Sequence, residues 1–193
     1  MPNIEIEAQP PPPSPHLDGE DPETFSAEMW PRTKLRPYQL DVAKQIIDAI
    51  ERGRGGQFAV VFARQSGKDE LLAQLIAYLL ARHSRGVDSS SIVMVAPTLR
   101  PQGMIARRRL LDRLAAPGMA PFGRHKSDGN VVSLGRASCS FLSAHPYAQA
   151  RGETANLLLN LAIDGRARSG IKDEQEGSRR SLGVPVYRNT TPP

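Results

Sequence analysis

The chemistry of this 193-residue chain is concentrated in five consecutive residues, Arg64, Gln65, Ser66, Gly67 and Lys68. They follow an apolar, β-branched run from Phe58 to Phe62. They open the stretch Lys68 to Ala81, in which Leu71, Leu72, Leu75, Ile76, Leu79 and Leu80 recur at helical spacing. The spacing predicts a strand, a tight turn and a helix in that order. A helix start suits phosphate, because its first N–H groups have no intrahelical acceptor and the macrodipole is positive there. Gly67 would let the backbone come close to a phosphate, and Lys68 would set its ammonium against β- and γ-phosphates. The usual signature is GxxxxGK followed by Ser or Thr, and this sequence departs from it twice. Phe62 stands in place of the first glycine, and Asp69 stands where a hydroxyl would ligate Mg2+.

Other segments extend the reading. Upstream lies Leu35 to Gln39 (LRPYQ), whose glutamine amide can both donate to and accept from an adenine ring. A second apolar run, Ile92 to Ala96, leads into Pro97 and Thr98. A third, Leu157 to Ile163, ends in Asp164, a carboxylate suited to holding Mg2+ through water. The next position in an active ATPase carries a Glu that orients the attacking water; here it is Gly165. ATP and Mg2+ are thus the expected ligands, with binding favoured over turnover.

The elements that must hold these residues form an α/β pattern. Leu40, Val42, Ala43, Ile46, Ile47 and Ile50 mark a helix over 37–50, and 104–114 reads as a helix whose exposed face bears Arg107, Arg108, Arg109 and Arg113. Residues 130–134 and 138–142 read as a hairpin around Gly135. Alternating strands and helices predict a mostly parallel sheet flanked by helices, P-loop NTPase-like but with an incomplete core. Residues 1–28, acidic and Pro-rich with the run QPPPPSP, read as a disordered arm, 29–164 as a partial ATPase domain, and 165–193 as an irregular tail. The charge is segregated: residues 1–30 hold seven acids and no Lys or Arg, which leaves 25 basic against 13 acidic side chains in the rest. A body so basic suits a polyanion such as double-stranded DNA. The single cysteine, Cys139, excludes an intramolecular disulfide. No apolar run is long enough for a membrane helix, so a soluble, cytoplasmic protein is expected.

Over residues 35–164 the sequence resembles the large terminase subunits of tailed bacteriophages. The residues that carry the resemblance are Arg36, Pro37, Tyr38 and Gln39, similar to the family's adenine-binding motif, and Arg64 to Lys68, similar to its deviant Walker A core Arg-Gln-x-Gly-Lys. Ala96, Pro97, Thr98 and Gln102 match the strand that ends in Ala-Pro-Thr, and Gly152, Glu153, Thr154 and Ala155 match the turn before Walker B. The resemblance implies an ATPase core that drives double-stranded DNA into procapsids. Its partners would be a small terminase subunit and a portal, in the cytoplasm of the phage's host. It also implies roles: Arg36 and Gln39 at adenine, Gln65 to Lys68 around the phosphates, Arg64 as a finger on the γ-phosphate or as a structural clamp, and Asp69 and Asp164 at Mg2+.

The family's coupling motif and nuclease domain have no counterpart after Asp164. Residues from about 162 onward are accordingly expected to be an out-of-frame tail on a truncated gene, since codons for Val186 to Thr191 read one base later permit Tyr-Thr-Gly-Thr-Pro, similar to that motif. Two other readings compete: a helicase-superfamily ATPase, and a non-enzymatic remnant that binds nucleic acid through its arginine-rich helix.

Overall fold

The structure, a computed structural model, describes residues 21–53, 57–63, 65–86, 89–144 and 155–160, together with the backbone of 186–188. Order starts earlier than the composition suggests. Asp21 caps a helix, α1 (Pro22–Met29), by accepting from the Glu23 N–H at 3.2 Å, and Pro22 sits in its first turn. The expected arm over 1–28 therefore overlaps a packed element. Phe25 is buried and meets Trp30, Tyr78 and Phe122 edge-to-face at centroid separations of 5.5, 5.1 and 5.8 Å.

The sequence periodicity is realised in α2 (Pro37–Glu51), α3 (Lys68–His83) and α4 (Met104–Leu114). Between α2 and α3 runs a three-residue strand, β1 (Ala59–Val61). The main sheet contains β2 (Ser90–Ala96), β3 (His125–Asp128), β4 (Val131–Leu134), β5 (Ala137–Ser143) and β6 (Leu157–Asn160), in the order β3-β4-β5-β2-β6. The β2 strand is parallel to both β5 and β6, whereas β3, β4 and β5 form an antiparallel meander. The sheet is therefore mixed. The polar strand β3 escaped the sequence reading because its sequence, HKSD, has no apolar alternation.

Register explains where the core lies. Ile92 aligns with Cys139 and Leu157, Met94 with Phe141 and Leu159, and Val132 with Cys139, so their side chains share one face of the sheet. These residues join Leu71, Leu75, Leu79 and Leu80 of α3 and Leu110 and Leu114 of α4 in a single core that also takes in α1 and α2. The hairpin turn forms at Gly135, whose φ of +57° is open to glycine at little cost.

The short strand β1 departs from expectation. The run Phe58 to Phe62 reads as a strand buried on both faces, yet Val61 is 51% exposed and β1 lies outside the five-stranded sheet. Its partner is β7 (Val186–Arg188), to which it runs parallel, pairing Val60 with Tyr187. The apolar character of β1 shows that it favours a strand, but cannot specify how many neighbours will cover it. The rest of the expected tail, 165–185 and 189–193, lies outside the described residues. Among the described residues no helix is long and apolar enough to cross a membrane.

Candidate phosphate-binding site

The turn from β1 into α3 is built from local hydrogen bonds and two left-handed residues. The Ser66 N–H and Oγ both donate to the Ala63 carbonyl, at 3.3 and 2.7 Å. Gln65 has φ +59° and Gly67 φ +79°, the latter as the N-cap of α3. Backbone that alternates into the left-handed region is the material of anion-binding concavities. The Gly67 carbonyl then accepts from the N–H groups of Glu70 and Leu71, both at 3.0 Å, which starts the helix.

What fixes this turn in space is α2. Gln39 is 3% exposed, and its Nε2 donates to the Gly67 carbonyl at 2.9 Å and, more weakly, to that of Ser66 at 3.4 Å. Its Oε1 accepts from the Arg36 N–H at 2.8 Å. The Tyr38 hydroxyl donates to the Ser66 carbonyl at 2.6 Å, and its ring lies 6.2 Å from that of Phe62. The two motifs read separately in the sequence therefore meet at one place. The Gln39 amide, expected at adenine, is engaged at both ends with protein backbone. Adenine recognition by it would require those bonds to be exchanged. Arg36 is exposed at the start of α2.

Gly67 has a steric as well as a conformational role. A Cβ at this position would lie 2.6 Å from Gln39 Nε2, so only glycine admits the close packing of turn and clamp. Lys68 and Asp69 begin α3, both half-buried. The Asp69 carboxylate lies 4.0 Å from Arg109 Nη1 on α4.

Glu70, which sequence reasoning passed over, anchors a larger network. Arg113 Nε lies 2.9 Å from Glu70 Oε1, and Nη2 donates to Oε2 at 3.1 Å. Arg113 Nη1 also donates to Thr33 Oγ1 at 2.9 Å. Gln74 Nε2 donates to Glu70 Oε1 and to the Thr33 carbonyl, both at 2.6 Å, while its Oε1 accepts from Ser26 Oγ at 2.7 Å. Ser26 Oγ in turn accepts from the Leu35 N–H at 2.8 Å. The network joins α1, the segment before α2, α3 and α4 around the turn that precedes α3.

This corrects the reading of α4 as an exposed basic face. Arg113 pairs with Glu70, Arg109 with Asp69, and Arg107 donates to Ser127 Oγ of β3; Arg108 is the exposed member of the four. Their acidic partners lie some forty positions earlier in sequence, so no local pattern could have signalled the pairing.

The Ala96-Pro97-Thr98 segment ends β2 with a closed turn. The Thr98 N–H donates to Gln102 Oε1 at 3.3 Å, and the Gly103 N–H to the Thr98 carbonyl at 3.1 Å. The candidates Arg64 and Asp164, and the turn residues Gly152 to Thr154, lie outside the described residues. Among the described residues no group of three or more His, Cys, Asp or Glu side chains could hold a metal ion. Mg2+ bound with a nucleotide commonly takes only one or two carboxylates beside phosphate and water oxygens, and Asp69, 40% exposed at the start of α3, is a hard donor of that kind.

No family model matches the chain, and no curated protein sequence is significantly similar to it. Among solved structures the large terminase of bacteriophage HK97 is similar, with a TM-score of 0.51 and 22% identity over 74% of this chain. The match spans 30% of that terminase's length. The fold of this chain is therefore similar to that of part of a phage large terminase.

Proposed function

We propose that this chain is the nucleotide-gripping part of a terminase-like DNA-packaging motor, built on a P-loop. The observation that supports this best is the strand-turn-helix of 59–83, with left-handed Gly67 as helix N-cap and Gln39 and Tyr38 clamped onto the turn. In this reading the backbone of Gln65 to Gly67 cradles the phosphates and Lys68 meets the β- and γ-oxygens. Arg64 acts on the charge that develops on the γ-phosphate. Asp69 and Asp164 hold Mg2+, which when bound neutralises phosphate charge. Arg36 and Gln39 lie on the adenine side.

Turnover is proposed to be weak. Gly165 follows Asp164, so the side chain that would orient an attacking water is missing from its expected place. The wider roles belong to the same proposal: double-stranded DNA as track, with a small subunit and portal as partners in the host cytoplasm. A purely nucleic-acid-binding role through α4 is less well supported, because three of its four arginines are engaged by protein. ATP binding and phosphate release measured on the same preparation test the reading. Saturable binding with phosphate release at background is expected. Robust turnover that disappears in Lys68→Ala would overturn the impaired-hydrolysis part, and absence of binding would overturn the whole.

A further inference from the structure

The first turn of α3 contains an electrostatic contradiction. Asp69 and Glu70 stand immediately after Lys68, where the helix dipole welcomes negative charge. The same two carboxylates would repel a polyphosphate approaching that helix start. The α4 helix answers both. Arg109 and Arg113, one helical turn apart and so on one face, are directed at Asp69 and Glu70 respectively.

The two pairs differ in kind. Arg113 and Glu70 are 21% and 19% exposed, and the guanidinium is further held by Thr33 while Glu70 is held by Gln74. The α4 backbone is pinned at the same point, since Trp30 Nε1 donates to the Arg113 carbonyl at 3.1 Å. Arg109 and Asp69, 38% and 40% exposed, are 4.0 Å apart and otherwise open to water. The first is a fixed neutral unit, and the second an adjustable one.

We infer that Arg109 and Arg113 are positioning residues that set the affinity of the turn for polyphosphate by neutralising Asp69 and Glu70. The inference rests on the reading of the turn as a nucleotide site. With both pairs intact Asp69 and Glu70 add no net charge to the helix start. Removal of either arginine leaves one carboxylate of the first turn uncompensated, lowering the local charge by one unit.

The test is equilibrium binding of ATP and ADP without divalent cation, so that no metal competes for Asp69. The proteins compared are the unsubstituted chain, Arg109→Met, Arg113→Met and the neutral swap Glu70→Gln/Arg113→Met. Each single arginine loss should weaken ATP binding about two- to fivefold, the range expected for one charge at a helix start. ADP should lose less, because it carries less charge. The neutral swap should restore ATP affinity to near that of the unsubstituted chain. It also keeps the test open if Arg113→Met alone unfolds, which a thermal melt would reveal. Equal losses for ATP and ADP, or no rescue by Glu70→Gln, would assign the arginines a merely structural role and overturn the inference. Failure of the unsubstituted chain to bind ATP would instead overturn the nucleotide reading, and this inference with it.

Discussion

Replacement of Gly67 by alanine probes the joint between the turn and its clamp, and its cost can be worked from the geometry. At φ +79° an L-residue is in the left-handed region, a penalty of about 1–2 kcal/mol. The added Cβ would fall 2.6 Å from Gln39 Nε2. A terminal amide can often swing aside cheaply, but this one is 3% exposed and bonded at both ends. Its displacement breaks the 2.9 Å bond to the Gly67 carbonyl, worth about 1 kcal/mol net and more if a buried group is left unpaired. The sum is about 2–4 kcal/mol, a melting shift of roughly 5–15 °C for a chain of this size. A double-mutant cycle by thermal or urea denaturation separates the parts. On a Gln39→Ala background the clash is relieved, and Gly67→Ala should cost only the left-handed term of about 1–2 kcal/mol. Equal cost in both backgrounds would refute the argument that Gln39 clamps the turn.

Other perturbations address the frame. Gly135→Ala combines a φ of +57° with a Cβ driven into the Ser84 carbonyl, which already accepts from the Arg136 N–H at 2.9 Å; denaturation should show a loss of about 2–5 kcal/mol. Burial, followed by the neighbouring Arg82, lowers the His83 pKa below its ordinary 6.5. The unfolded chain therefore takes up the proton first, so stability is full above pH 6.5 and declines as pH falls through the lowered value. His83→Gln should flatten that acid limb in a series of melts. Cys139 is buried with its thiol pushed up to about 12, so a thiol reagent at neutral pH should label it only as fast as the chain opens; rapid labelling of the native protein would contradict its placement.

The parts of the fold legible in sequence were those with long periodic patterns. Helices α2, α3 and α4 and strand β2 follow from apolar spacing, because each buries a stripe against one core. The helix α1 was hidden by its Pro-rich, acidic context, although the Asp21-Pro22 cap and the aromatic pair Phe25 and Trp30 were the local signal. The apolar run of β1 indicated strand but not exposure, since coverage depends on which distant strands arrive. In the candidate site, spacing marks the Gly67-Lys68 turn and the glutamine motif as separate motifs. Their contact through Gln39 and Tyr38 is tertiary, as are the pairs that tie Asp69 and Glu70 to α4, and no period in the chain encodes them.

Equilibrium titration of ATP into the unsubstituted chain and into Lys68→Ala measures whether the turn before α3 grips a nucleotide through Lys68. Saturable binding that weakens about tenfold or more when the ammonium is removed is expected, the loss typical of a charge-assisted hydrogen bond. Equal affinity in the two proteins, or no binding in either, would contradict it.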